Sequence, residues 1–211
     1  MLVPDIYQAP DDSWILSLIR QYPLALLTSI GDDGGLYTSQ VPVILAQGNS
    51  EEVTADMTLL SHMNRSNPHW VHATEEEDSV AVFSGPHSYV SPGLYEQSGP
   101  AAPTWNFTSV HLRGVVRRLP TGEATLDVIK QTASVLEREF GTGWSTSGSI
   151  DYFNEIVAGV GAFKFLVCKV EAMFKLSQEQ SPTVRRRVQR KFAVDKSTNR
   201  NDLAKMMSQL P

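Results

Sequence analysis

Cysteine occurs once in 211 residues, as Cys168, so no disulfide can form within the chain. Inside F-K-F-L-V-C-K-V-E it reads as a small buried hydrophobe. No run approaches 18 consecutive apolar residues, which excludes an ordinary membrane-spanning helix. Met1 to Val3 lead directly into Pro4 and Asp5, with neither the basic region nor the apolar run of a secretion signal. A soluble, cytoplasmic protein without membrane contact is expected. No Gly-x-Gly-x-x-Gly follows the first strand, so a Rossmann-type site has no support. A Gly-x-Ser-x-Gly elbow is also missing, and Ser84 before Gly85 has no evident base. His62, His69 and His72 are spaced seven and three apart, which matches no compact zinc pattern, and no metal site is expected. A haem held by one histidine leaves little spacing signature and stays open.

Negative charge is also scarce where the chain ends. Residues 181–211 hold eight Lys or Arg against two Asp or Glu, a balance of +6 within a net charge of −5, which leaves −11 for residues 1–180. The body should repel a phosphate backbone, and only the tail, with R-R-R-V-Q-R-K at Arg185 to Lys191, could attract one. No helix-turn-helix pattern precedes that cluster. Docking of the tail on the acidic body is the plainer reading. The organisation expected is a first domain over 1–180 and a basic, helical extension over 181–211.

In chain order, Asp11 or Asp12 caps a helix running to about Gln21, and Pro23 ends it. Leu24 to Ile30 forms a strand, and the turn G-D-D-G-G returns the chain as Leu36 to Ala46. Pro42 belongs at an edge or bulge because it has no N–H to donate. Gly48 to Ser50 makes a turn, Glu52 to Met57 a short third strand, and Thr58 to Asn64 starts a short helix that Pro68 stops. Glu75 to Asp78 is an acidic, solvated run. A helix begins at Thr121 and continues to about Glu139, a shorter one covers Ile150 to Ala158, and Val160 to Phe174 is a long core strand. Six or so antiparallel strands with covering helices close most simply as a barrel, so the fold class expected is mainly β with flanking helices.

The central stretch is His87 to Gly114. Strands at Ser79 to Pro86 and Asn106 to Val116 flank a loop rich in proline and glycine. That loop and its borders carry Tyr89, Tyr95, Trp105, Asn106 and His111, groups able to stack on a flat ring and bond its edges, although aromatics also cap cores. A second informative stretch is S-H-M-N-R-S-N-P-H-W, Ser61 to Trp70. Arg65 there offers a permanently charged planar fork suited to phosphate, and His62 and Asn67 add donors.

The motifs P-L-A-L-L-T-S, H-M-N-R-S-N-P-H-W, F-S-G-P-H-S-Y-V-S-P-G-L-Y, P-T-W-N-F-T-S-V-H-L-R-G and F-K-L-S-Q, in that order, resemble the PaiB-like family of FMN-binding split-barrel proteins. The resemblance implies a split β-barrel related to pyridoxamine-phosphate oxidases, dimerised with FMN at the subunit interface. Some members are described as negative transcriptional regulators. It implies His62, Arg65, Ser66 and Asn67 around the phosphate or ribityl chain, and His87, Tyr89, Trp105 and Asn106 around the ring or its ligand. It also implies Lys175 and Gln178 reaching in from the end of the last strand. His87, Tyr89 and His111 are the candidates for orienting substrate or moving protons. The chain departs from the family with Gln40 in place of a histidine, Leu94 in place of a tryptophan, and Glu179–Gln180 in place of Asn-Arg. The function so implied is an FMN-dependent oxidoreductase or electron-transfer protein acting on a small organic substrate, with NAD(P)H or reduced flavin as electron donor. A ligand-responsive regulator that meets DNA through its tail and a haem-binding or non-redox enzyme are the alternatives.

Overall fold

The computed structural model describes residues 1–46, 52–75, 78–95 and 100–210. Six strands form one antiparallel sheet: β1 (Leu24–Ile30), β2 (Leu36–Leu45), β3 (Thr58–Asn64), β4 (Ser79–Val90), β5 (Thr104–Arg118) and β6 (Val160–Lys175). Their spatial order is β1-β2-β3-β6-β5-β4, and pairing of β1 with β4 closes the ring as a barrel. Alternation along each strand fills its interior, with Ala25, Leu27, Val41, Leu59, Phe83, Val110, Leu112 and Phe165 all buried. The fold is therefore the split-barrel architecture expected from the motifs.

The helices are α1 (Asp12–Gln21), α2 (Pro68–His72), α3 (Glu123–Phe140), α4 (Ile150–Ile156), α5 (Pro182–Ala193) and α6 (Thr198–Gln209). Asp11 caps α1 by accepting from Ser13 N at 2.8 Å, and Ile15, Leu16, Leu18 and Ile19 form its buried stripe. In the β1–β2 turn Gly34 takes φ 75°, a conformation glycine adopts without a Cβ penalty. Pro42 sits where β2 leaves β1 and begins to pair with β3, so its missing N–H interrupts no continuous ladder.

The tail packs by its apolar face. Val188 and Phe192 of α5 and Leu203, Ala204 and Met207 of α6 are buried in the same core cluster as the barrel interior, and Val184 of α5 is buried as well. Arg186, Arg190 and Lys191 remain exposed on the other side of α5.

Three expectations change. The third strand is Thr58–Asn64, not Glu52 to Met57, and no helix begins at Thr58. Its inner side (Leu59, Ser61, Met63) faces the barrel, while Leu60 on its outer side packs with Val128 of α3. An apolar strand covered on both sides shows no clean alternation in sequence, and pairing with both β2 and β6 is what makes it a strand. Cys168 is exposed, because it follows buried Val167 on the outward face of β6. The hairpin around the central stretch is also longer than expected, since β4 continues to Val90 and β5 starts at Thr104. The turn expected at Gly48 to Ser50 lies outside the described residues.

Among the described residues no helix is long and apolar enough to cross a membrane.

Candidate functional site

The expected site residues fall into two groups. The first surrounds the exit of β3. Arg65 is exposed, its backbone N–H donates to Gly159 O at 2.9 Å, and its guanidinium donates to Thr121 Oγ1. Ser66 is exposed beside it, its N–H turned in to Asn64 Oδ1 at 2.8 Å. Asn67 is fully engaged: its Oδ1 caps α2 by accepting from His69 N at 3.0 Å, and its Nδ2 donates to Ser39 Oγ at 3.0 Å. His69, 1 % exposed, places Nδ1 3.1 Å from the same Ser39 Oγ. Tyr37 stacks on both His69 and His72, with interplanar angles of 29° and 11°. Trp70 packs near Phe163 beneath the Arg118 guanidinium, so α2 acts as a plug at this end of the barrel. His62 points to the α3 side of β3, and its Nδ1 is buried without a hydrogen-bond partner, as is Nε2 of His69.

Burial holds both His62 and His69 below the ordinary value of 6.5. The unfolded chain takes up protons that the folded chain refuses. The stability associated with these groups is complete above about pH 6.5 and is lost as pH falls through the depressed folded values. Thermal melts are expected to show the midpoint dropping below that pH, with a shallower drop in a folded His62→Gln/His69→Gln variant; an unchanged slope would count against this assignment.

The second group lies on the extended β4–β5 hairpin. Tyr89 pairs directly with Trp105 in register, and His87 with Phe107. Trp105 Nε1 donates to His87 Nδ1 at 3.3 Å, which leaves the neutral imidazole proton on Nε2. The His87 and Trp105 rings are stacked at 27°, and Tyr89 meets Trp105 edge-on at 66°. Tyr89 is 44 % and Trp105 47 % exposed, so an aromatic surface faces outward. His87, Trp105, Phe107, Ser84, Ser109 and His111 line one open cleft of about 430 Å³. His111 is held below its ordinary value chiefly by burial, with the terminal ammonium adding to that effect and Glu171 opposing it. It therefore faces the cleft as a neutral imidazole near pH 7.

Other expected residues brace this hairpin. Asn106 is fully buried, with Nδ2 donating to Ser177 Oγ at 2.9 Å, so its amide holds the turn after β6 and does not line the cleft. Gln178 closes the same turn, accepting from Leu176 N and donating to Phe174 O, both at 2.6 Å. Lys175 Nζ donates to Thr104 Oγ1 at 2.5 Å within the same chain and lies 5.6 Å from the centre of the Tyr7 ring. Glu179, at one of the departures from the family, accepts from Tyr7 OH at 3.1 Å. Burial, followed by that carboxylate, pushes the Tyr7 phenol up to about 12. Gln40, at another departure, is exposed on the outer face of β2 beside Leu26.

Strand β6 joins the two groups and also separates them. Asn64 pairs with Val160 at its start and Phe107 with Lys175 at its end. Its 16 residues correspond to on the order of 50 Å of contour along the strand. Within a single chain, the Arg65 and Trp105 groups therefore lie toward opposite ends of β6. Sequence reasoning also missed Ser39, Tyr37 and Thr121, which hold the first group in place from distant parts of the chain. Among the described residues, Asp32, Asp33 and His72 are the one grouping of metal-ligating atoms, all within 4.8 Å of one another. His72 Nδ1 is there already bonded to Asp32 Oδ1 at 2.9 Å.

Comparison with known proteins bears on the cofactor. The profile of the family described as "Putative FMN-binding domain" matches residues 1–169. The chain belongs to this family. A relative within reach of sequence comparison is "Protease synthase and sporulation protein PAI 2" of Bacillus subtilis, 27 % identical over 150 residues, or 71 % of each chain. Among solved structures, the conserved hypothetical protein Rv2991 of Mycobacterium tuberculosis superposes with a TM-score of 0.60 at 12 % identity, covering 86 % of this chain and 94 % of that one. The "FAD and Heme binding protein" of Mycobacterium smegmatis superposes at 0.50 and 13 % identity, covering 79 % and 72 %. At these identities the superpositions show a common fold. The matched range spans β1 to β5 and the first part of β6, and it ends before the turn at Ser177 and the tail helices.

Proposed function

We propose that the protein is a homodimeric FMN-binding oxidoreductase or electron-transfer protein, each of whose cofactor sites is assembled from two chains. The observation that carries this reading is the separation of the Arg65 and Trp105 groups along β6. A second copy related by two-fold symmetry can bring one chain's β3 exit to the other's hairpin. The outer face of β1 and the start of β2 suits such a contact, because Leu24, Leu26, Ile30 and Leu36 stand exposed there.

The donor chemistry fits FMN. Arg65, bonded to Thr121 through one edge, keeps further N–H groups for a phosphate, and the Ser66 hydroxyl lies beside it. At the other end Trp105 and Tyr89 offer a flat, exposed surface for a ring, and His87 and His111 present imidazoles along the cleft. When bound, flavin supplies hydride or single-electron transfer. The neutral His111 can accept a proton from a small organic substrate, and the Nε2–H of His87 can donate to one. Val82 and Phe107 add apolar wall to the same cleft.

Comparison of FMN with riboflavin tests the assignment. Arg65→Ala is expected to weaken FMN binding roughly thirtyfold, equivalent to about 2 kcal/mol, while leaving riboflavin affinity nearly unchanged. Retention of wild-type discrimination by a folded variant would withdraw Arg65 as the phosphate residue. A haem is the competing occupant of the cleft, favoured by the neutral His111 beside apolar walls. The absorption spectrum of the protein as purified separates the two by flavin bands or a Soret band.

A further inference from the structure

The segment of β4 that carries His87 and Tyr89 is not held by the barrel alone. Beyond Val82 β4 has no β1 partner, and its register with β5 shifts between Ser84 and His87. Among the described residues, 87–90 pair only with 104–107. The orientation of this two-stranded tip needs another support, since an isolated hairpin is marginal by itself.

Helix α6 supplies one. Ser88, between His87 and Tyr89 and on the opposite face of the strand, is 8 % exposed. Its Oγ accepts from Arg200 Nε at 2.9 Å. Arg200 is itself held from two further sides: Nη1 donates to Asp195 Oδ2 at 2.6 Å, and the guanidinium lies 5.5 Å from the centre of the buried Phe192 ring. Asp195 is anchored by accepting from Ser197 N at 3.0 Å, a bond that, with Arg200, keeps its carboxyl below the usual range. The Asn201 amide ties the α5–α6 turn by donating to Phe192 O and Asp195 O, both at 3.0 Å. Two more contacts reach the same tip. Asn106, paired in register with Ser88, is bonded to Ser177, and Leu94 O accepts from Arg187 Nη1 at 3.1 Å.

We propose that Arg200 is a positioning residue for the His87–Tyr89–Trp105 group, so that the C-terminal helix pair is part of the cleft and not an appendage to it. The inference rests on the reading of that cleft as the ring side of the cofactor site. A planar guanidinium fixed by a carboxylate and an aromatic ring loses little freedom when it makes its next bond, and the bond it makes is to the strand of the cleft. A shift at Ser88 moves both neighbours, because His87 and Tyr89 leave the same backbone toward the other face.

The test reads the ligand-free protein first. The chain has four tryptophans, and each indole N–H gives its own signal in a nitrogen-15 spectrum. Trp105 is assigned by Trp105→Phe, and its N–H is the one bonded to His87. Arg200→Ala is expected to move the Trp105 signal while those of Trp14, Trp70 and Trp144 stay in place, and to weaken FMN and riboflavin alike by about tenfold. Arg200→Lys, which retains a donor for Ser88, is expected to recover most of both effects. A Trp105 signal and an FMN affinity unchanged in Arg200→Ala overturn the proposal. If Arg200→Ala fails to fold, Ser88→Ala removes only the acceptor and should shift the same signal; an unmoved signal there also overturns it. A Trp105 signal that moves in a protein taking up no FMN upholds the positioning role and overturns only the cofactor reading.

Discussion

Chains carrying Arg65→Ala and chains carrying Trp105→Ala are expected to rebuild, when mixed, FMN sites that neither variant forms alone. In the composite arrangement every site takes its phosphate residue from one chain and its ring surface from the other. A homodimer of Arg65→Ala has two sites without the guanidinium, and a homodimer of Trp105→Ala has two without the stacking face. A mixed dimer has one site with both defects and one with neither. Random pairing at equal amounts makes half of the dimers mixed, so about a quarter of all sites should regain wild-type affinity. Both residues are well exposed, so each substitution should remove a ligand contact more than core packing. Melts of the two single variants check that point. The measurement is FMN bound per chain after co-refolding, at concentrations between the wild-type and variant dissociation constants. No recovery in the mixture, or a scattering mass of one chain at micromolar concentration, would sink the two-chain site and leave Arg65 and Trp105 with unrelated roles.

Replacing Gly114 by alanine is expected to produce the largest loss of stability of any single methyl added to this barrel. Gly114 lies at the register shift between β5 and β6, where Arg113 opposes Lys169 and Gly114 opposes Val167. A Cβ there would stand 2.1 Å from the Leu166 carbonyl oxygen and 2.9 Å from a ring carbon of Phe165. The oxygen belongs to the backbone of a central strand and cannot turn aside as a flexible side chain would. Relief requires moving β5 away from β6, the longest ladder in the barrel, and the cost should be about 3 kcal/mol or more. For a chain of this size that lowers the melting midpoint by roughly 10 °C. Gly148→Ala is the matched control, because nothing lies within 4 Å of its added carbon. It should change stability by no more than about 0.5 kcal/mol. Equal midpoints for the two variants would show that the strands give way easily at this point.

Local signals in the sequence are strong for some elements. An aspartate cap, an apolar stripe and a terminating proline delimit α1, and L-A-L-L-T-S-I between Pro23 and the G-D-D-G-G turn delimits β1; both occupy the residues expected. They were legible because the cause of each boundary lies within a few residues of it. Thr58–Asn64 was not, because its pattern makes sense only once α3, from more than 60 residues later, covers its outer face. Cys168 misled for the converse reason: an apolar neighbourhood in sequence does not say which side of a strand is left bare.

The chemical types needed at the site were present in two short stretches, a guanidinium with polar neighbours and a set of aromatics with imidazoles. The sequence by itself determined that inventory and, through the succession of motifs, the family. Only the tertiary structure decided where the groups stand. The barrel order puts β6 between β3 and β5, so the two stretches lie at its opposite ends, a consequence of strand pairing that no local motif encodes. The same holds for Arg200 and Ser88, 112 residues apart, whose bond exists because α6 covers the edge that β1 leaves open. Composition and periodicity act over one turn of helix or one strand, whereas a site is built by contacts whose sequence separation is set by topology.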